Sequence, residues 1–129
     1  EISAMMMGGK AAGVYPTDTP AQVQYKTALA DGSIAVVDNK GSFDRYKAVI
    51  DDLPYLKAIV TWQYDEAEDI TRSDGSVCKC MTWEDLLKYG DENGSDASLD
   101  EIISATQPGN CACLVFTSGT TGNPKAVMV

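Results

Sequence analysis

Short apolar runs alternate with amphipathic stretches in the first half of the chain. Residues 34–37 form an apolar run and residues 57–62 a largely apolar one, both of strand length and too short for an ordinary helix. Between them, apolar residues recur every three or four positions, which predicts a helix with one buried face. These residues are Phe43, Tyr46, Ile50 and Leu53. The order strand, helix, strand is typical of an α/β layer with parallel strands and right-handed crossovers.

Capping residues mark the predicted helix boundaries. Thr19, Pro20 and Gln22 form a complete start signal, with an N-cap threonine, a proline at the first position and a glutamine at the third. We expect this helix to run for about ten residues. Ser42 is predicted to cap the next helix, and Pro54 is predicted to end it.

The run Ile34–Val37 contains no polar residue, so we expect this strand to be buried on both faces within a parallel sheet. Asp38 and Asn39 follow it directly. An acidic residue after a strand binds ribose in some dinucleotide enzymes, but no G-x-G-x-x-G motif precedes this one. We therefore interpret the pair as turn and helix-start residues.

The second half is more polar, and its predicted elements are shorter. Residues 63–80 are expected to form an exposed loop with a short hairpin near Val77. A helix over residues 83–89 is predicted to follow the capping residue Thr82, and a second helix to open at the capping box Ser98–Glu101. The core-facing residues of the first of these helices are predicted to be Trp83, Leu86 and Leu87. A short strand is also predicted over residues 11–15, after a helix closed by Gly8 and Gly9.

The most distinctive stretch lies near the end of the chain. Residues 117–125 read Thr-Ser-Gly-Thr-Thr-Gly-Asn-Pro-Lys. The glycines let the backbone approach a ligand closely. Hydroxyl and backbone N–H groups donate to phosphate oxygens, and a lysine adds a mobile positive charge. Because residues 111–116 and 126–129 are apolar and read as strands, we predict a loop that joins two strands and cradles a polyphosphate.

This stretch is not the common P-loop, which requires G-x-x-x-x-G-K-[ST] and opens a helix. Counted from Gly119, Pro124 occupies the second glycine position and Ala126 the Ser/Thr position. Composition alone leaves a second interpretation open, a hairpin turn that binds no ligand, because loops favour these residue types in any case.

The nine-residue string resembles the phosphate-binding signature of the adenylate-forming enzymes, which include acyl-CoA synthetases, luciferases and peptide-synthetase adenylation domains. The resemblance implies that the loop holds the β- and γ-phosphates of ATP. The nucleotide-binding residues that it implies are Thr117, Ser118, Gly119, Thr120, Thr121, Gly122 and Lys125. Lys125 is also the expected catalytic residue, because its charge would neutralise the phosphates. One position departs from the family pattern, since Ala126 stands where glycine usually follows the lysine.

Four further segments extend the resemblance. Residues 8–15, 36–39 and 53–60 resemble long-chain acyl-CoA synthetases, and residues 107–116 resemble most the bubblegum-type, very long-chain branch of these enzymes. The resemblance implies an α/β fold with a doubly wound, mostly parallel sheet, within the large N-terminal domain and ending in a strand–loop–strand phosphate loop. Residues 1–129 would then be a partial N-terminal AMP-binding domain, inactive by itself.

The reaction implied by this resemblance has two steps. A fatty carboxylate attacks the α-phosphate of ATP to give acyl-adenylate and pyrophosphate, and the thiol of coenzyme A then displaces AMP. ATP, Mg²⁺ and coenzyme A are the implied cofactors and co-substrates. Two alternatives stay open, namely another adenylate-forming enzyme such as a peptide-synthetase adenylation domain, and a non-catalytic nucleotide-binding homologue.

Composition narrows the set of partners. The chain carries 19 acidic and 10 basic residues, a formal charge of −9, which argues against nucleic acid as a ligand. No apolar run is long enough to span a bilayer. We expect a cytoplasmic protein, because the cysteines read as reduced and packed. The apolar substrate leaves peripheral association with the cytoplasmic face of an internal membrane open. The four cysteines form two Cys-x-Cys pairs and no histidine is present, so we expect reduced, packed thiols rather than a metal site.

Overall fold

The computed structural model describes residues 2–65, 68–117 and 123–129. It groups into two compact units, residues 14–90 and residues 1–13 together with 91–129. In chain order the elements are α1 (Ile2–Met6), β1 (Ala11–Ala12), α2 (Pro20–Leu29), β2 (Ile34–Val37), α3 (Lys40–Lys47), a 3₁₀ turn (Ile50–Asp52), β3 (Ala58–Thr61), β4 (Ile70–Thr71), β5 (Val77–Thr82), α4 (Trp83–Asn93), α5 (Asp96–Ala105), β6 (Cys113–Thr117) and β7 (Lys125–Met128).

The unit of residues 14–90 is built on a four-stranded sheet in the order β2-β3-β5-β4. Strands β2, β3 and β5 are parallel, and β4 pairs antiparallel with β5 at the edge. The predicted strand–helix–strand pattern over residues 34–62 is therefore confirmed, as is a hairpin near Val77. The length of β5 was not predicted, because its polar surroundings read as loop.

One face of this sheet carries the core of the unit. The buried cluster joins Ala35, Val37 and Ile59 of the sheet to Val23 of α2 and Phe43 of α3. The prediction that β2 is buried on both faces is wrong, because Ile34 and Val36 are 60% and 57% exposed. Both helices contribute to the same cluster, so the alternate side chains of β2 have no helix over them in the residues that the structure describes.

The predicted capping box at Thr19 is confirmed. The Thr19 hydroxyl accepts from the Gln22 backbone N–H at 3.3 Å, and the Gln22 side chain accepts from the Thr19 N–H at 2.8 Å. The cap predicted at Ser42 is wrong. Asn39 caps α3 by accepting from the Ser42 N–H at 2.9 Å, and the Ser42 hydroxyl donates to Asp38 at 3.0 Å. The helix therefore starts earlier than predicted, at Lys40.

Two buried cations stabilise this unit through different partners. Lys26 lies 2.6 Å from Asp18, and both side chains are almost fully buried. The Asp18 carboxylate also accepts from the Tyr15 backbone N–H at 2.7 Å, and the Lys26 ammonium lies 4.4 Å from the centre of the Tyr15 ring. Arg72, only 6% exposed, instead donates to backbone carbonyls.

The Arg72 guanidinium bridges the 3₁₀ turn and the residues after it. Its Nε donates to the carbonyl of Ile50 at 3.1 Å, and Nη2 donates to Leu53 at 3.0 Å and to Leu56. A buried carbonyl without a donor is costly. Arg72 supplies the donor to the Leu56 carbonyl and adds a second donor to the carbonyls of Ile50 and Leu53, which also accept backbone N–H groups at 3.2 and 3.1 Å.

The other unit contains a three-stranded sheet in the order β1-β6-β7. Strand β1 runs parallel to β6, with Ala11 paired to Cys113, and β7 runs antiparallel to β6. The strand predicted over residues 11–15 is therefore only two residues long. Gly8 ends α1 with φ of 69°, as predicted, and a Cβ there would meet Ile102 at 3.2 Å.

The boundaries of the last two helices also differ from the prediction. Helix α4 continues through Gly90 to Asn93, and Leu87 is 54% exposed rather than core-facing. Helix α5 starts at Asp96, because Ser95 and not Ser98 is its N-cap and accepts from the Ser98 N–H at 3.2 Å. The two serines are spaced so that each one alone satisfies the sequence rule for a cap.

Candidate functional site

The distinctive sequence connects the two strands of a β-hairpin. Strand β6 ends at Thr117 and β7 begins at Lys125, and these two residues are direct cross-strand partners. The prediction that strands flank the loop is confirmed. The remaining predicted site residues, Ser118, Gly119, Thr120, Thr121 and Gly122, lie outside the described residues.

The hairpin has two chemically different faces. Side chains alternate along a strand, and directly paired residues share a face. Thr117 and Lys125 therefore lie on the same face, and both are exposed. Phe116 and Ala126 form the adjacent pair on the opposite face, where Phe116 is only 4% exposed. The buried ring anchors the end of the hairpin beside its polar face.

The lysine of the pair has no ionic partner in the part of the chain that the structure describes. Two other exposed lysines are ion-paired: Lys40 contacts Asp44 at 3.1 Å and Lys79 contacts Asp69 at 2.6 Å. In both pairs the hydrogen bond and charge of the aspartate raise the pKa of the lysine. The Lys125 ammonium is instead exposed and available to an external anion.

A hydrogen bond crosses the hairpin at its last described pair. The Thr117 hydroxyl donates to the backbone carbonyl of Lys125 at 3.4 Å. The exposed ammonium of Lys125 at the end of the hairpin suits an oxyanion such as phosphate. The described residues of the hairpin, 113–117 and 123–129, include no carboxylate, so they supply no ligand of the kind that Mg²⁺ prefers.

Ala126, the departure from the family pattern, lies opposite Phe116 and is half-buried. Its methyl group is therefore on the anchored face and not on the face of Thr117 and Lys125. Phe116 itself was not singled out from the sequence. The sequence held a signal for a buried residue here, because Phe116 lies in an apolar run directly before the loop. In a strand, it points to the opposite side from its neighbours Val115 and Thr117.

The two cysteines of β5 do not form a reactive site in the described structure. Cys78 and Cys80 are buried on one face of β5, and both thiols are free. Burial, with a smaller contribution from Cys78, raises the pKa of Cys80 to about 11. A thiol that stays protonated at neutral pH is a poor nucleophile and a poor metal ligand.

Comparison with protein-family models identifies the chain. A model described as AMP-binding enzyme matches residues 1–129. The chain belongs to this family. Among its curated relatives are long-chain-fatty-acid–CoA ligases: ACSBG2 of Xenopus laevis, 34% identical over 129 residues, and ACSBG1 of Bos taurus, 38% identical over 128 residues. The resemblance to the bubblegum type of acyl-CoA synthetase is thereby confirmed.

The relatives are much longer than the chain. The two alignments cover 100% and 99% of this chain but only 16% of each relative, so the chain spans about one sixth of their length. The alignment with ACSBG1 of Mus musculus, 35% identical over 128 residues, covers 99% of this chain and 17% of that relative.

A solved structure supports the mixed α/β fold. The crystal structure of the anthranilate CoA ligase AuaEII in complex with anthranoyl-AMP matches with a TM-score of 0.59 over 97% of this chain and 21% of that protein. At 17% identity the match concerns the fold alone. Within the described residues no helix is long and apolar enough to cross a bilayer.

Proposed function

We propose that the full-length protein is a fatty acid–CoA ligase, in which this chain supplies the ATP-phosphate loop. A long-chain fatty carboxylate would attack the α-phosphate of ATP, forming acyl-adenylate and releasing pyrophosphate. The thiol of coenzyme A would then form acyl-CoA and release AMP. The observation that carries the proposal is the exposed Lys125, which ends the signature loop and has no ionic partner in the described structure.

The role proposed for this chain is electrostatic. Pyrophosphate leaves with negative charge on its oxygens, and a preorganised cation at the site of that charge lowers the barrier. Lys125 would neutralise it, and donors from residues 118–122 would complete the contacts to the phosphates. Mg²⁺, when bound, would screen the same charge, but the hairpin offers it no carboxylate and we assign it no ligand here.

The wider architecture belongs to the same proposal. In the full-length protein, the two sheets would form part of a doubly wound, mostly parallel N-terminal domain. The cytoplasm would supply ATP and coenzyme A, and the apolar acid would bring the protein to the cytoplasmic face of an internal membrane. The names of the relatives favour a fatty acid as the substrate.

The test is acid-dependent exchange of labelled pyrophosphate into ATP by the full-length protein, across a panel of fatty acids and amino acids. We expect exchange with long-chain fatty acids. Lys125→Ala should slow it about a hundredfold, the order of magnitude for loss of one charge-stabilising group. Lys57→Ala, which removes an exposed lysine from the other unit, should leave the rate unchanged.

Three results would refute parts of this proposal. Exchange with amino acids only would indicate a peptide-synthetase type of adenylation. Absence of exchange with every acid would indicate a non-catalytic homologue. Equal rates for the wild type and Lys125→Ala would refute the role of the lysine while leaving the reaction in place.

A further inference from the structure

The hydroxyl of Thr117 is directed at the protein itself. It donates its proton to the Lys125 carbonyl across the end of the hairpin, at 3.4 Å. A threonine hydroxyl has only one proton to donate. While it is given to the carbonyl, this hydroxyl cannot also donate to a phosphate oxygen.

We propose that Thr117 is a positioning residue for Lys125 and not a direct donor to the phosphates. This inference rests on the proposed function, and it revises the role that family resemblance assigns to Thr117. The hydrogen bond joins the side chain of the last residue of β6 to the peptide group of the first residue of β7. It therefore fixes the backbone from which the lysine side chain extends.

The opposite face of the hairpin makes this bond effective. Phe116, the residue before Thr117, is buried, so its ring holds the end of β6 in place on the face opposite the Thr117 hydroxyl. Strand β7 has no such anchor at its first residue, because Lys125 is exposed and the paired Ala126 presents only a methyl group. The Thr117 hydroxyl adds a side-chain hydrogen bond to the backbone pairing of β6 and β7 at the residue that carries the charge.

A double-mutant cycle with Thr117→Val and Lys125→Ala separates positioning from direct binding. Valine keeps the β-branched shape of threonine and removes only the hydroxyl. We expect Thr117→Val to reduce pyrophosphate exchange about three- to tenfold, the range for loss of one hydrogen bond. It should raise KM for ATP, and Thr117→Ser should restore exchange to within about twofold of the wild type.

The decisive measurement is the same valine substitution in the Lys125→Ala background. If Thr117 acts through the lysine, it should change exchange less than about twofold there, because nothing remains to be positioned. Thr106→Val is the matched control. Thr106 is another exposed threonine of the same unit whose hydroxyl donates to a backbone carbonyl, that of Ile102 at 3.0 Å. This control should leave exchange unchanged.

Failure of the inference and failure of the proposed function are distinguishable. A full additional loss from Thr117→Val in the Lys125→Ala background would show direct contact with phosphate and overturn the inference, with the ligase function intact. A loss in Thr106→Val as large as that in Thr117→Val would also overturn it. No exchange by the wild type with any acid would refute the proposed function, and the inference with it.

Discussion

Replacing Arg72 by methionine should destabilise the unit of residues 14–90 strongly. The substitution keeps most of the apolar length of the side chain and removes its donors. Three carbonyls, those of Ile50, Leu53 and Leu56, lose their hydrogen bonds to the guanidinium. The carbonyls of Ile50 and Leu53 keep backbone donors, the N–H groups of Leu53 and Leu56 at 3.2 and 3.1 Å. The Leu56 carbonyl is therefore the acceptor left without a donor in the described structure, at a cost of about 1–3 kcal/mol.

The hydrogen bonds lost at Ile50 and Leu53 add only about 0.5–1.5 kcal/mol each, and less where water reaches the turn beside the exposed Asp51. We therefore expect a loss of about 2–4 kcal/mol in the free energy of unfolding. Urea denaturation of the full-length protein would measure it, and hydrogen exchange of peptides covering residues 50–56 would locate it.

The matched control is Arg45→Met. Arg45 is half-buried on α3, and its side chain makes no hydrogen bond within the described structure, so this change should cost less than about 0.5 kcal/mol. A loss below about 1 kcal/mol for Arg72→Met, or unchanged hydrogen exchange over residues 50–56, would refute the reasoning.

Three further predictions concern the same unit. Lys26→Met should lower the free energy of unfolding by about 3–5 kcal/mol, because it leaves Asp18 buried without its partner. The double variant Asp18→Asn/Lys26→Met should lose less than this single variant. Urea unfolding in which the effects of the two substitutions simply add would contradict the prediction. Burial raises the pKa of Cys80 to about 11 in the folded protein, so the thiol of the unfolded chain ionises at a lower pH. The free energy of unfolding should therefore fall as pH rises above about 9. Urea midpoints at pH 7.5 and 10.5 would show this fall, and it should be smaller in Cys80→Ala. Thr19→Ala should cost about 1 kcal/mol by removing the α2 cap, and an unchanged thermal midpoint would count against the capping box.

Local signals predicted the fold best. The capping box at Thr19 and the glycine at the end of α1 were correct because each acts through backbone groups within a few residues. Helix starts were misplaced where two candidates compete: Asn39 precedes Ser42, and Ser95 precedes Ser98, each by three residues. In both cases the earlier residue caps the helix, and the later residue is the donor that it binds.

Long-range features were not visible in the sequence. No sequence feature near Arg72 predicts that its hydrogen-bond partners are backbone carbonyls roughly 20 residues earlier in the chain. The exposure of Ile34 and Val36 likewise depends on where α2 and α3 pack, which an all-apolar strand does not specify.

At the candidate site, too, local features were predicted from the sequence and long-range contacts were not. The nine-residue string led to the prediction of phosphate binding because glycine, hydroxyl and lysine lie close together in it. That role stays a prediction. That Thr117 faces its own chain depends on the register of β6 and β7, in which residues eight positions apart become direct partners.

The pairing of β1 with β6 has a consequence for biosynthesis. The two strands are roughly 100 residues apart, and the whole unit of residues 14–90 lies between them. On the ribosome that unit is complete before β6 exists, so it can fold while β1 still waits for its partner. At roughly 5–20 residues per second, residues 91–129 take about 2–8 s to make. The β6–β7 hairpin is therefore the last described part of this chain to assemble, and a nascent chain arrested before residue 113 would contain a folded inner unit without this hairpin.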